Sequence, residues 1–401
     1  MKEKIQTFHV SNKGKKRPTW LVFILGMFIG LSLNYGYGYA LNYLSESNSQ
    51  NKGLPKNLDY SSVEKMYDIL RLNYDGEITT DKIMDGLKSG LAKAAGDPYT
   101  VYLSKEDNEA FDSQLSGTFT GIGAELIEEN NVVVVATPLS GFPAEKAGLK
   151  ARDIIFKIDG EDATQLSVSE AVKKIRGEKG TTVKLTLIRN GEQLEISITR
   201  DVITVPSVKS EIVDGVGYMT IYRFGEDTAK LARQYAVSYK NQNVKGVVVD
   251  VRNNPGGYLD QAVQVASLWL SKNQVVVEEK RGSVLVKSYP ASGDNVLGGT
   301  KTVVLVNGGS ASASEILAGA LHDHKVATLI GEKSFGKGSV QQVETLDSDT
   351  ALKVTVAKWF TPNGKNINKE GIAPDKEVVL GIDDAKKNND PQKTAALEFL
   401  K

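Results

Sequence analysis

Two short runs, Val247-Val248-Val249-Asp250-Val251 and Thr302-Val303-Val304-Leu305-Val306, each break into a glycine-containing loop and then a helical stretch. Consecutive β-branched residues with so little polar alternation do not suit a sheet with one wet face. They suit strands covered on both faces, and the helices that follow supply the cover. Residues from about 202 to 385 are therefore read as an α/β unit with parallel strands. Loops at the carboxyl ends of such strands are where sites form. Here those loops are Arg252-Asn253-Asn254-Pro255-Gly256-Gly257 and Asn307-Gly308-Gly309-Ser310-Ala311-Ser312-Ala313-Ser314-Glu315.

At 401 residues the chain is too long for one ordinary domain, and two or three units are expected. The absence of cysteine excludes disulfides, thiolate-held metals and a thiol nucleophile. Lys and Arg (49) balance Asp and Glu (49), but residues 1–44 hold six bases and one acid, leaving 43 bases against 48 acids downstream. That mildly acidic remainder argues against a nucleic-acid partner, which would need clustered Lys and Arg. Trp20 to Leu44 carries no charge over 25 residues, about 37 Å as a helix, and follows a basic flank. It reads as a retained signal-anchor, or as a cleaved signal peptide with a small-x-Ala site at Gly38-Tyr39-Ala40. Either reading places the rest of the chain outside: in the cell membrane as a single-pass protein with its main part extracellular, or secreted. The polar stretch that follows is a linker.

Val63, Met66, Tyr67 and Leu70, then Ile83, Leu87, Leu91 and Ala94, recur at helical spacing, and Asp97-Pro98 ends the second helix. The next segment changes period. A strand at Val132–Ala136, a short helix at Ala144–Gly148 and a strand at Ile154–Ile158 precede a helix at Val168–Ile175 and a hairpin about Asn190-Gly191. This order resembles a PDZ domain. The resemblance rests on Gly121-Ile122-Gly123-Ala124 and on Pro143-Ala144-x-x-Ala147-Gly148-Leu149-x-x-x-Asp153-x-Ile155. An extended C-terminal peptide would add to the sheet edge with its carboxylate among the amides of 121–124. Arg152 stands where the pattern usually has glycine, so that turn is expected to differ.

Ser312-x-x-Glu315 reads as a capping box, yet a serine at a helix N-terminus among small residues also has amides ready for an oxyanion. A serine nucleophile needs a base. His9 lies before the apolar run, and His322 and His324 follow Ser312 on one helix at roughly 15 to 18 Å along its axis, so both are read as helix-end polar residues. The remaining base is Lys337, in Phe335-Gly336-Lys337-Gly338. A neutral lysine at pH 7 requires a fall from about 10.4 toward about 7 to 8, roughly 4 kcal/mol, which burial can provide. Gly331 to Lys337 nearly matches a phosphate-binding loop but has Gly338 where a hydroxyl is needed, and strand-like residues follow.

Taken in order, Asp97-Pro98-Tyr99-Thr100, the PDZ pattern, Arg252-Asn253-x-Pro255-Gly256-Gly257, Ser310-Ala311-Ser312-Ala313-Ser314-Glu315, Phe335-Gly336-Lys337-Gly338-x-Val340-Gln341-Gln342 and Thr361-Pro362-x-Gly364 resemble the C-terminal processing peptidases, or tail-specific proteases. The resemblance implies a multidomain α/β fold with a core of the crotonase and ClpP type. It implies Ser312 as nucleophile, Lys337 as base and Gln341 as the residue orienting it. The oxyanion amides would come from Ala313 and from Gly256 or Gly257. Tails of exported or membrane proteins would be the partners, with a homodimer, supported by the helices near 60–95 and the apolar Ala395–Leu400, and no metal or cofactor.

On this reading residues 1–19 are a basic cytoplasmic N-terminus, 20–44 the signal-anchor or signal peptide, 45–57 a linker and 58–116 a helical region. Residues 117–201 are the PDZ domain, 202–385 the protease core and 386–401 a C-terminal helix. Arg176, at the end of the PDZ helix, would couple peptide docking to assembly of the site. The alternative is a catalytically silent, membrane-tethered PDZ scaffold that binds tails without cutting them.

Overall fold

The computed structural model describes residues 57–381, 384 and 389–401, and the chain divides into two units, 1–78 and 79–401. In the first, helix α1 (Ser61–Asn73) carries the predicted apolar spacing, and the Asp59 carboxylate accepts from the Ser61 amide at 2.9 Å. The division falls within the helical stretch 58–116. The expected cell-membrane placement is corrected. Among the described residues no helix is long and apolar enough to cross a membrane, and the run 20–44 that carried the expectation lies outside them.

The second unit opens with α2 (Thr80–Lys93), capped by the Thr79 hydroxyl, then β1 (Val101–Leu103) and α3 (Lys105–Ser116), capped by Ser104. Gly117, at φ 67, ends α3 in the left-handed conformation that glycine adopts without strain. The chain then passes through β2 (Thr118–Gly121), β3 (Ala124–Glu129), β4 (Val132–Pro138), α4 (Pro143–Lys146), β5 (Ile154–Ile158), β6 (Glu161–Asp162), α5 (Val168–Ile175), β7 (Thr182–Arg189), β8 (Glu192–Thr199) and β9 (Asp201–Thr204). Strands β3-β4-β5-β7-β8 form one sheet with β6 on β5. Val133, Val135, Ile155, Leu185 and Ile198 meet Ala171 and Ile175 of α5 in its core. The β7–β8 turn is Asn190-Gly191, both at positive φ, as the dipeptide predicts.

At its turn Arg152 occupies the left-handed region that glycine favours. It takes φ 71 itself, and Asp153 locks the bend by accepting from the Lys150 amide at 2.7 Å and from Arg189 at 2.6 and 2.7 Å. Strands β2 and β9 pair antiparallel, with Thr118 opposite Thr204 and Gly121 opposite Asp201, so entry and exit of this domain form one two-stranded neck.

The core follows as β10 (Val208–Val213), β11 (Val216–Ile221), α6 (Thr228–Asn241), β12 (Val247–Asp250), α7 (Leu259–Ala266), β13 (Val275–Arg281), β14 (Val284–Pro290), β15 (Thr302–Val306), α8 (Ala313–Asp323), β16 (Thr328–Gly331), β17 (Ser339–Thr345), β18 (Ala351–Phe360), β19 (Lys376–Glu377) and α9 (Pro391–Leu400). Its main sheet runs β10-β11-β12-β15-β16-β19, parallel except at β10. Val247, Val249, Val304 and Val306 face the cluster that holds Ala232, Ala262 and Leu317 of α6, α7 and α8. Their neighbours Val248, Val303 and Leu305 face Ala395, Ala396 and Leu400 of α9. This is why the valines and leucine of the runs do not alternate with polar residues. It also corrects one support for a dimer, because the C-terminal apolar stretch covers its own sheet. A second sheet sets β17 on one side of β18 and β1 and β13 on the other, tying the residues after α2 to the core.

Candidate active site

Three serines of one loop are chemically alike, and their surroundings separate them. Ser310 Oγ donates to the Val251 carbonyl at 2.8 Å and Ser314 Oγ to the Asn254 carbonyl at 2.9 Å, both fully buried. These bonds stitch the loop after β15 onto the loop after β12. Ser312 lies between them, partly exposed, at φ 55 and ψ −114. Such a sparsely populated backbone conformation persists only where the surroundings impose it. The Glu315 amide donates to the Ser312 carbonyl at 2.9 Å, leaving Ser312 Oγ without a cap hydrogen bond.

Gly256 presses against this serine. A β-carbon there would lie 2.8 Å from Ser312 Cβ and 3.1 Å from the Ala313 nitrogen. Its own N–H donates to Asn254 Oδ1 at 2.9 Å. Among the described residues, the N–H groups of Gly257 and Ala313 have no acceptor. Gly257, at φ 143, touches Phe224, whose carbonyl oxygen would stand 2.3 Å from an added β-carbon.

Lys337 follows β16 and is half-buried. Its carbonyl accepts from Trp359 Nε1 at 2.8 Å, and its ammonium lies 5.1 Å from the centre of the Tyr99 ring. Burial pushes its pKa down, the Lys353 ammonium adds to that, and Glu315 and Asp97 oppose it. Gln341 is on β17, where Nε2 donates to Ser339 Oγ at 2.7 Å and to Thr355 Oγ1 at 3.4 Å. Thr355 and Thr100 in turn donate to Asp97 at 2.5 and 2.7 Å. Burial works to raise the Asp97 pKa, but these bonds outweigh it and hold the carboxyl below its usual range. The structure therefore assembles the serine loop, the glycine loop and the lysine loop in one place. Neither Ser312 Oγ nor Gln341 forms a hydrogen bond with Lys337 Nζ in this arrangement.

His322 and His324 face elsewhere, toward Asp375 at 3.1 Å and the Val275 carbonyl at 2.7 Å, as helix-end residues should. Sequence reasoning did not find Tyr99 or the chain of hydrogen bonds from Gln341 to Asp97. The only signal was the Asp97-Pro98-Tyr99-Thr100 motif, more than 230 residues from Lys337.

In the PDZ domain, β3 is a sheet edge open to a further strand, with α5 beside it. Among the described residues the amides of Ile122 and Gly123 donate to nothing, while their carbonyls accept from Ala144 and Leu139. Ala124 begins β3. Arg176 stacks on the Phe119 ring at 4.5 Å, next to Gly121, so it touches the neck strand β2.

Residues 215–378 match the model of peptidase family S41, and residues 120–199 that of a PDZ domain. A protein of Staphylococcus haemolyticus named as a CtpA-like serine protease is 36% identical over 378 residues, covering 92% of this chain and 74% of its own length. The carboxy-terminal processing protease CtpA of Bacillus subtilis is 41% identical over 326 residues, covering 80% of this chain and 69% of its own. A solved structure described as an S41 protease of Bacteroides fragilis shares the fold at 16% identity, with a TM-score of 0.55 over 86% of this chain and 98% of that one. Matched in both its domains and along most of its length, the chain belongs to peptidase family S41, the carboxy-terminal processing serine proteases, and carries a PDZ domain ahead of the S41 region.

Proposed function

We propose that the protein captures the C-terminal tail of a loosely folded protein on its PDZ domain and cleaves near that tail by a Ser–Lys acyl-enzyme mechanism. The observation that supports this most is the strained Ser312, its hydroxyl free of any cap bond, flanked by the two unpaired amides of Ala313 and Gly257. Neutral Lys337 takes the proton of Ser312 Oγ as that oxygen attacks the peptide carbonyl. The Ala313 and Gly257 amides receive the oxyanion, Gly256 being excluded because its amide is engaged. Lys337 then gives the proton to the departing amine, and water releases the acyl group by the same steps reversed.

This requires Lys337 Nζ to rotate from the Tyr99 ring toward Ser312, in keeping with catalytic hydrogen bonds that close only around substrate. With the Gln341 amide nitrogen held by Ser339 and Thr355, its carbonyl oxygen is left to orient the ammonium. The tail enters along β3, its carboxylate on the Ile122 and Gly123 amides.

The full chain should cleave an unfolded reporter ending in apolar residues and spare the same reporter ending in two aspartates, read by intact mass. Binding of the apolar tail with no cleavage at any pH would instead support the scaffold reading. Arg176, stacked on Phe119 of β2, would meet the tail carboxylate. Arg176→Ala should raise KM for the reporter about tenfold, the worth of one charged hydrogen bond. Unchanged KM and kcat would remove Arg176 from the site.

A further inference from the structure

The Glu315 carboxylate is completely buried, and four donors converge on it. Oε2 accepts from the Ser312 amide at 3.0 Å and from the Lys337 amide at 2.9 Å. Oε1 accepts from the Gly336 amide at 2.8 Å and from Ser334 Oγ at 2.5 Å. One oxygen thus holds the backbones of both catalytic candidates, which lie 25 positions apart and on different loops. An N-terminal cap would need only the first of these four bonds.

The lysine segment is held from its other side as well. Ser334 Oγ accepts from the Ile372 amide at 2.7 Å, and the Gly336 carbonyl accepts from the Lys369 amide at 2.7 Å. A β-carbon on Gly336 would lie 2.8 Å from the Gly371 nitrogen. Residues 334–337 are wedged between Glu315 and the loop 369–372.

We propose that Glu315 is a positioning residue for the catalytic pair: its carboxylate sets the spacing between nucleophile and base by accepting the main-chain amides of both. This rests on the Ser–Lys reading. A carboxylate suits the task because it offers only acceptors, whereas a carboxamide of the same size would turn two N–H groups toward N–H donors. The partners' side chains are left free, so Lys337 can leave the Tyr99 ring while its Cα stays fixed.

The test uses the full chain and the apolar-tailed reporter, with Ser312→Ala, Glu315→Gln and Ser334→Ala measured together. Glu315→Gln should lower kcat about 100-fold with KM unchanged, the expected loss for a misplacement near 1 Å. It should also move the acid limb of kcat/KM to lower pH. The charged groups facing Lys337 are Glu315, Asp97 and Lys353, with the Tyr99 ring. Removing the Glu315 charge takes away a group that favours the ammonium and leaves the others in place, so the base becomes neutral at lower pH. The limb shift reports the carboxylate charge beside Lys337, and the fall in kcat at unchanged KM reports the spacing.

Ser334→Ala, which keeps the carboxylate and three donors, should lower kcat about tenfold. It decides the matter should Glu315→Gln fail to fold. Wild-type kcat and pH profile in a folded Glu315→Gln, or in Ser334→Ala where the first does not fold, would overturn the clamp while leaving the Ser–Lys reading intact. Persistent cleavage by Ser312→Ala would overturn the Ser–Lys reading itself.

Discussion

Ser312→Ala is expected to slow cleavage of an apolar-tailed reporter by about a million-fold while tail binding to the PDZ domain is kept. Lys337→Ala should do nearly the same, and the double variant should be no worse than either single one, because nucleophile and base act as one unit. The neighbouring serines give the contrast. Ser312 Oγ forms no cap bond, so its removal should leave the unfolding midpoint almost unmoved. Ser310→Ala and Ser314→Ala each delete a buried hydroxyl bonded to a loop carbonyl and should lower stability by about 1 to 3 kcal/mol. Rates and denaturation curves on the wild type and these five variants check both halves. Cleavage surviving in Ser312→Ala would require another nucleophile.

Those three serines also show where sequence reading stops. Their type and spacing mark a helix start and a candidate nucleophile. What separates them is contact with Val251 and Asn254, residues of the loop after β12 about 60 positions earlier, and no local pattern carries that. The parallel sheet was legible because unbroken stretches of valine before a glycine loop and helix suit strands covered on both faces, and the β7–β8 hairpin because Asn-Gly demands positive φ at both turn residues. Glu315 was legible only as a cap, since its other three donors arrive from residues 334–337. Gln341 is the converse case: its position four residues after Lys337 is evident, yet strand pairing puts Thr355 opposite it, and its amide nitrogen bonds there. Ala395–Leu400 looked like an interface because amphipathic character alone does not say which surface a helix covers.

The largest stability effect is expected at Arg252. Its guanidinium binds Asp250 at 2.6 and 2.9 Å and Asp390 at 2.8 and 3.0 Å, and Gln392 accepts at 2.8 Å. The arginine side chain is only 12% exposed. It joins the end of β12 to the start of α9. Arg252→Ala leaves two carboxylates facing each other without a cation and should destabilise the core by about 3 to 5 kcal/mol.

The pH dependence has a definite sign. Burial works to raise the Asp390 pKa, but Arg252 and the Lys393 amide outweigh it and hold the carboxyl below its ordinary 3.8. Stability from this pair is complete above that value and fades as pH falls from it toward the lowered pKa. Urea midpoints at pH 7 and pH 3 measure both effects: the gap between wild type and Arg252→Ala should narrow at pH 3, and an equal gap would exclude Arg252–Asp390 pairing as its source.

The neck formed by β2 and β9 bears on how such a protein diversifies. Thr118 and Thr204 are partners across one ladder, so the intervening segment begins and ends at neighbouring points of the core. A different recognition module whose termini also lie side by side can be grafted at those two points without rerouting the catalytic chain. On the proposed function, choice of client and cutting chemistry would then sit on segments that can change separately.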